Sequence, residues 1–181
     1  MLGLTSGLIQ PTYTHRVKCT YNSDFTSNND GWDPVGIQGT LAQTFDQDIP
    51  SGSGGGWMKC QYDTTQTNIS SIVMYNDGVV CAAEDWAVGD FAVMSFKIYL
   101  AGNWDGVDDV TALAVNLTTS GNKPVTPIPQ NQVVERTLIA DSSLAGFYSD
   151  VAGIVFDESG DLPQEDAIFW IKDVQVLTYG I

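Results

Sequence analysis

The feature that most constrains this chain is the run FAVMSFKIYL at residues 91–100. Ala92, Met94, Phe96, Ile98 and Leu100 alternate there with Phe91, Val93, Ser95, Lys97 and Tyr99. Successive side chains of an extended backbone leave opposite sides of the pleat, so ten residues of period two predict a strand. The first set is wholly apolar and suits only a core. The second is mixed and can meet water, a ligand or another subunit. Gly89-Asp90 supplies a turn into this strand and Gly102-Asn103 a turn out of it.

The remaining sequence repeats the pattern at lower quality. Residues 16–21 (RVKCTY) predict a short first strand, and residues 23–33 a turn-rich loop that places Phe25 and Trp32. In residues 37–47, Leu41, Gln43 and Phe45 alternate with Ala42, Thr44 and Asp46. Residues 51–56 (SGSGGG) are a turn, followed by a strand with Met58, Cys60 and Tyr62 inward. Further strands are expected at 69–75, 111–119, 133–140, 151–156 and 168–177, with 123–129 a proline-rich connection lacking structure. In the last strand Phe169 and Ile171 are in step, but Val174 and Val176 have slipped by one residue. An extra residue at Lys172-Asp173, as in a β-bulge, restores the phase. Roughly nine or ten strands and no helix predict an all-β fold. Two packed antiparallel sheets are expected, with crossings that favour a jelly roll over a meander.

Composition agrees. The chain has 181 residues, 18 of them glycine. That length suits a single domain, here a β-sandwich from residue 15 onward after an arm at 1–14. The formal net charge is −15. Such a surface repels phosphate backbones and anionic lipid, which argues against nucleic-acid and membrane partners. Cys19, Cys60 and Cys81 have no zinc-type spacing; one disulfide with a spare thiol competes with three buried, reduced thiols made in a cytoplasm, and the second is the expectation. The first residues show no basic and apolar signal pattern, so the sequence reads as a whole gene product folded where it is translated.

Four stretches resemble the carbohydrate-binding-module jelly rolls of the galactose-binding-domain-like class. They are 54–61 (GGGWMKCQ), 88–100 (VGDFAVMSFKIYL), 151–156 (VAGIVF) and 169–177 (FWIKDVQVL). The resemblance spans about residues 23–179 and implies a ligand cleft on the mixed face of the 91–100 strand. It also implies a structural calcium near the closing strand. Here, however, Lys172 stands at the first acidic position of that run, and an ammonium repels calcium. No calcium is therefore expected at Lys172-Asp173.

Candidate sites follow from residue chemistry. Sugars need flat apolar surfaces for their C–H faces and amides or carboxylates for their hydroxyls. Trp32 and Trp104 in polar loops, with Tyr99 and Lys97 on the mixed face, are the candidate platform. The competing reading is that these aromatics cap the sandwich or fill a subunit contact. Asp105, Asp108 and Asp109 offer a weak calcium site, against the plainer reading of a solvated acidic loop. His15 is the only histidine and lies beside the arm, and no carboxylate pair stands out, so no catalytic residue is assigned.

Two functions are expected to compete. The first is a non-enzymatic virion surface protein of a tailed bacteriophage, a capsid decoration or head-fibre protein made in the host cytoplasm. In that reading Leu2, Leu4, Leu8, Ile9 and Tyr13 anchor a homo-oligomer, preferably a trimer, to capsid proteins. The opening MLGLTSGLI resembles the starts of some phage structural proteins. The alternative is a carbohydrate-binding module of a secreted or cell-surface system, with a glycan as partner.

Overall fold

The computed structural model describes residues 14–34, 41–62, 71–76, 87, 89–102, 110–113, 122–124, 128–141, 152–157 and 168–180. Among them are eleven strands and no helix. One six-stranded sheet contains β1 (Arg16–Ser23), β3 (Leu41–Gln47), β4 (Trp57–Tyr62), β6 (Phe91–Leu100), β9 (Val133–Asp141) and β11 (Ile168–Gly180). The other contains β2 (Trp32–Pro34), β5 (Ser71–Asn76), β7 (Val110–Leu113), β8 (Asn122–Pro124) and β10 (Ala152–Asp157). Strand order is β3-β4-β11-β6-β9 in the first sheet, with β1 also on β11, and β2-β5-β10-β7-β8 in the second. Every ladder between named strands is antiparallel. The order scatters sequence neighbours between two sheets, so the fold is the expected jelly-roll sandwich rather than a meander.

β6 occupies the position its pattern demands. Ala92, Met94, Phe96, Ile98 and Leu100 are all buried to 1% exposure or less. β11 beside it buries Phe169, Ile171, Val174 and Val176 on the same side. Between those two pairs the β6–β11 register shifts from Lys172 to Gln175, and Asp173 has φ 52°. This is the expected bulge. Aspartate tolerates the left-handed region better than most residues, which suits it to the extra position.

A second bulge interrupts the expected alternation of β3. Register shifts between Thr44 and Gln47, with Asp46 at φ 52°. Phe45 is thereby turned outward and is 46% exposed. β8 is also a correction, because the stretch expected to lack structure starts as a strand that pairs Pro124 with Thr111. Among the described strands β7 is its only neighbour in the sheet order, and an edge tolerates a proline that cannot donate to a ladder. The thiols are a third correction. Cys19 is disulfide-bonded, whereas Cys60 is a fully buried thiol whose pKa burial pushes well up. Cys81 lies outside the described residues.

Candidate functional site

The outward face of the six-stranded sheet is built by the alternate residues of four adjacent strands, and their registers arrange it in rows. The first row is Val17, Tyr179, Phe91 and Asp141. The next row is Thr20, Leu177, Val93 and Ile139. Below it come Asn22, Gln175, Ser95 and Thr137. Beyond the β11 bulge, Lys97 faces Glu135, and its Nζ lies 2.6 Å from Asp173 Oδ2. The upper two rows are mainly apolar and the lower two polar.

The polar rows form a groove of about 370 Å³ lined by Asn22, Asp24, Ser95, Lys97, Glu135, Asp173 and Gln175, among others. Gln175 Nε2 donates to Asn22 Oδ1 at 2.9 Å. That bond orients both amides and leaves the Gln175 oxygen and the Asn22 amide to meet a ligand. The Asp173 carboxylate, through its hydrogen bond and its charge, raises the pKa of Lys97. The pair is half exposed, so it orients side chains more than it stabilises the fold. Three carboxylates (Asp24, Glu135 and Asp173) face this one ammonium, so an anionic ligand is disfavoured.

At the other end the outward face is closed. Ile49, Trp57, Tyr99 and Trp170 form a small second core, with Tyr99 and Trp170 in edge contact at 5.3 Å. The loop after β3 folds over them. Asp48 Oδ1 accepts from the backbone N–H of Ile49 and Ser53, at 2.9 and 2.8 Å. Those hydrogen bonds hold the Asp48 carboxyl below its usual pKa, the bond from Ser53 most. Trp57 Nε1 donates to Ser53 Oγ at 2.9 Å, tying the indole to the same loop. Lys172 completes the closure, donating to the Gly55 carbonyl at 2.6 Å and standing 5.8 Å from the Trp57 ring centre. Lys172→Met is expected to lose about 1 kcal/mol, the net worth of a typical hydrogen bond, since exposure takes away the extra that a charged donor adds when buried. Hydrogen exchange at residues 52–57 should accelerate while β6 stays protected. Unchanged exchange there would show that the ammonium does not hold the loop.

Two of the expected platform residues are therefore corrected. Tyr99 is 3% exposed, covered by the loop and by Trp57. Trp32 is fully buried, and its Nε1 donates to Tyr21 Oη at 2.9 Å and Ser23 Oγ at 3.0 Å. Its ring packs edge-on to Phe25 at 6.1 Å. Both tryptophan and tyrosine cap cores, as the plainer reading had it. Lys97 does line the groove. Trp104, Asp105, Asp108 and Asp109 lie outside the described residues, as do Leu2, Leu4, Leu8, Ile9 and Tyr13. The residues that sequence reasoning missed are Asn22, Gln175 and Glu135. Their signal was available in register: once β1, β6, β9 and β11 are adjacent, their outward positions coincide.

No protein-family model matches the chain, and no curated protein matches it in sequence. Solved structures do match in fold. The CBM22-1–GH10 modules of a Clostridium thermocellum endo-1,4-β-D-xylanase, complexed with xylohexaose, superpose with a TM-score of 0.52 at 12% identity. That match covers 86% of this chain and 28% of the other. The tandem CBM22 domains of a Paenibacillus barcinonensis protein give 0.51 at 14% identity, covering 87% and 49%. This chain thus spans less than half the length of either of those proteins. The second N-terminal cellulose-binding domain of Cellulomonas fimi β-1,4-glucanase C gives 0.51 at 19% identity, covering 88% of this chain and 93% of that one. At such identities the likeness is one of fold: a β-sandwich of the kind found in carbohydrate-binding modules.

Proposed function

We propose that this chain is a non-catalytic glycan-binding domain, and that its groove takes a neutral polysaccharide strand. The observation that carries the reading is the polar groove across β1, β11, β6 and β9. It offers an ordered amide pair, a hydroxyl and a carboxylate-bound ammonium beside the aliphatic Leu177 and Val93. Sugar hydroxyls need such donors and acceptors, and the C–H face of a pyranose packs on such aliphatic surface. The carbohydrate-binding modules that share the fold support this alternative over the virion reading, to which the fold adds nothing. The Cys19 disulfide supports it further, since disulfides persist in oxidising compartments and are rare in a cytoplasm.

The test is calorimetric titration of the whole chain with soluble xylan and mixed-linked β-glucan, with polygalacturonate as the anionic control. A neutral glycan should bind and polygalacturonate should not. Asn22→Ala with Gln175→Ala should weaken binding at least tenfold, about 1.4 kcal/mol, with the melting curve little changed. Unaltered affinity in that double variant, or no binding to any neutral glycan, would remove the reading.

A further inference from the structure

Lys97 and Lys172 are direct partners across the β6–β11 ladder, so two lysines stand side by side at the polar end of the outward face. Two adjacent ammoniums are the ordinary beginning of a site for a carboxylate. Here that site is dismantled. Lys172 is drawn away to the Gly55 carbonyl at 2.6 Å, beside the Trp57 ring. Lys97 stays in the groove and is the one cation among the described residues that line it.

Two carboxylates occupy Lys97. The β11 bulge inserts Asp173 directly after Lys172, at φ 52°, and its Oδ2 accepts from Lys97 Nζ at 2.6 Å. Glu135 is opposite Lys97 in the β6–β9 ladder, on the other side of β6 from β11. Both act on the ammonium. Its pKa is raised first by the hydrogen bond and charge of Asp173, and further by the charge of Glu135. The third carboxylate of the groove is engaged elsewhere, since Asp24 Oδ1 accepts from the Thr26 N–H at 3.0 Å and from the Thr26 hydroxyl at 2.9 Å. The Lys97–Asp173 pair is half exposed and adds little to stability, so its place in the groove bears on what the groove admits.

We infer that Asp173 and Glu135 are the specificity-determining residues of the groove, and that they exclude acidic sugars by taking up the charge of Lys97. A uronate carboxylate that reached Lys97 would have to displace Asp173 and stand beside Glu135, with like charges at close range. A neutral sugar meets no such cost, because its hydroxyls donate to the carboxylates and accept from the ammonium. The inference rests on the groove being a glycan site. It places the discrimination in two residues instead of in the −15 charge of the whole chain. Exposed charges more than about 10 Å away are largely screened at about 0.1 M salt, whereas these two remain at contact range.

Calorimetric titration of the full chain with polygalacturonate, at about 0.1 M salt, tests the inference. The wild type should refuse it. Asp173→Asn with Glu135→Gln should bind it, with an affinity at least tenfold above the wild-type detection limit. The melting curve should change little, since asparagine tolerates the left-handed position that the bulge requires. Asp173→Asn alone should give part of the gain. Adding Lys97→Met to the double variant should abolish it, although the triple variant still carries less negative charge than the wild type. A folded double variant that still refuses polygalacturonate would overturn the inference. So would equal binding by the double and triple variants, which would assign the exclusion to overall charge. Neutral-glycan binding by the wild type is the separate test of the glycan reading, and its absence would leave the polygalacturonate comparison intact.

Discussion

Phe96→Ala is expected to destabilise the domain by about 3–5 kcal/mol, the cost of truncating a buried aromatic in a packed core. Phe96 is 1% exposed at the middle of β6, between Met94 and Ile98, and β6 pairs on one side with β11 and on the other with β9. The flanking strands are held by their ladders and do not collapse into the cavity. For a domain of this length each kcal/mol lowers the melting temperature by about 2–4 °C, so the shift should be roughly 6–20 °C. Thermal unfolding by circular dichroism measures it. A loss under about 1 kcal/mol would mean that the even-numbered face of β6 is not the core.

The second large effect is expected at Cys19. Reduction with dithiothreitol, or Cys19→Ser, should cost about 2–5 kcal/mol, as removal of a native disulfide typically does. Cys60 should contribute nothing to that difference. Its thiol is fully buried and its pKa is pushed well up by burial, so the reactive thiolate is scarce in the folded protein. Iodoacetamide should therefore modify Cys60 only on unfolding. Identical melting curves with and without reductant would restore the reading of three thiols.

The fold was legible where one rule governs a whole element. In β6 the alternation is unbroken, and in β11 the slip between Ile171 and Val174 could be explained only by an added residue. β3 was misread because the same device, a left-handed aspartate, falls at Asp46 inside an otherwise regular alternation. Nothing in LAQTFDQ distinguishes a bulged from an unbulged strand, since both faces there carry polar residues. The site was less legible than the fold. Tryptophan and tyrosine carry an apolar body with one polar atom, so a loop position and a core position look alike in sequence. Trp32 reaches the core because Tyr21 and Ser23 accept its N–H, and those partners are 11 and 9 residues away. The groove is a property of register across four strands, so no window of sequence contains it.

The pairing of β1 with β11 has a mechanical consequence. Arg16 is opposite Gly180 and Ser23 opposite Val174, so the first and last described strands run antiparallel, with the start of β1 beside the end of β11. Tension applied between those ends would load the rungs one after another, as a zipper opens, instead of shearing all of them at once. The same geometry brings Arg16 and Gly180 within a strand spacing of each other. A short linker could therefore join them, or graft the whole sandwich into the surface loop of a host protein, while the ladder itself stayed intact.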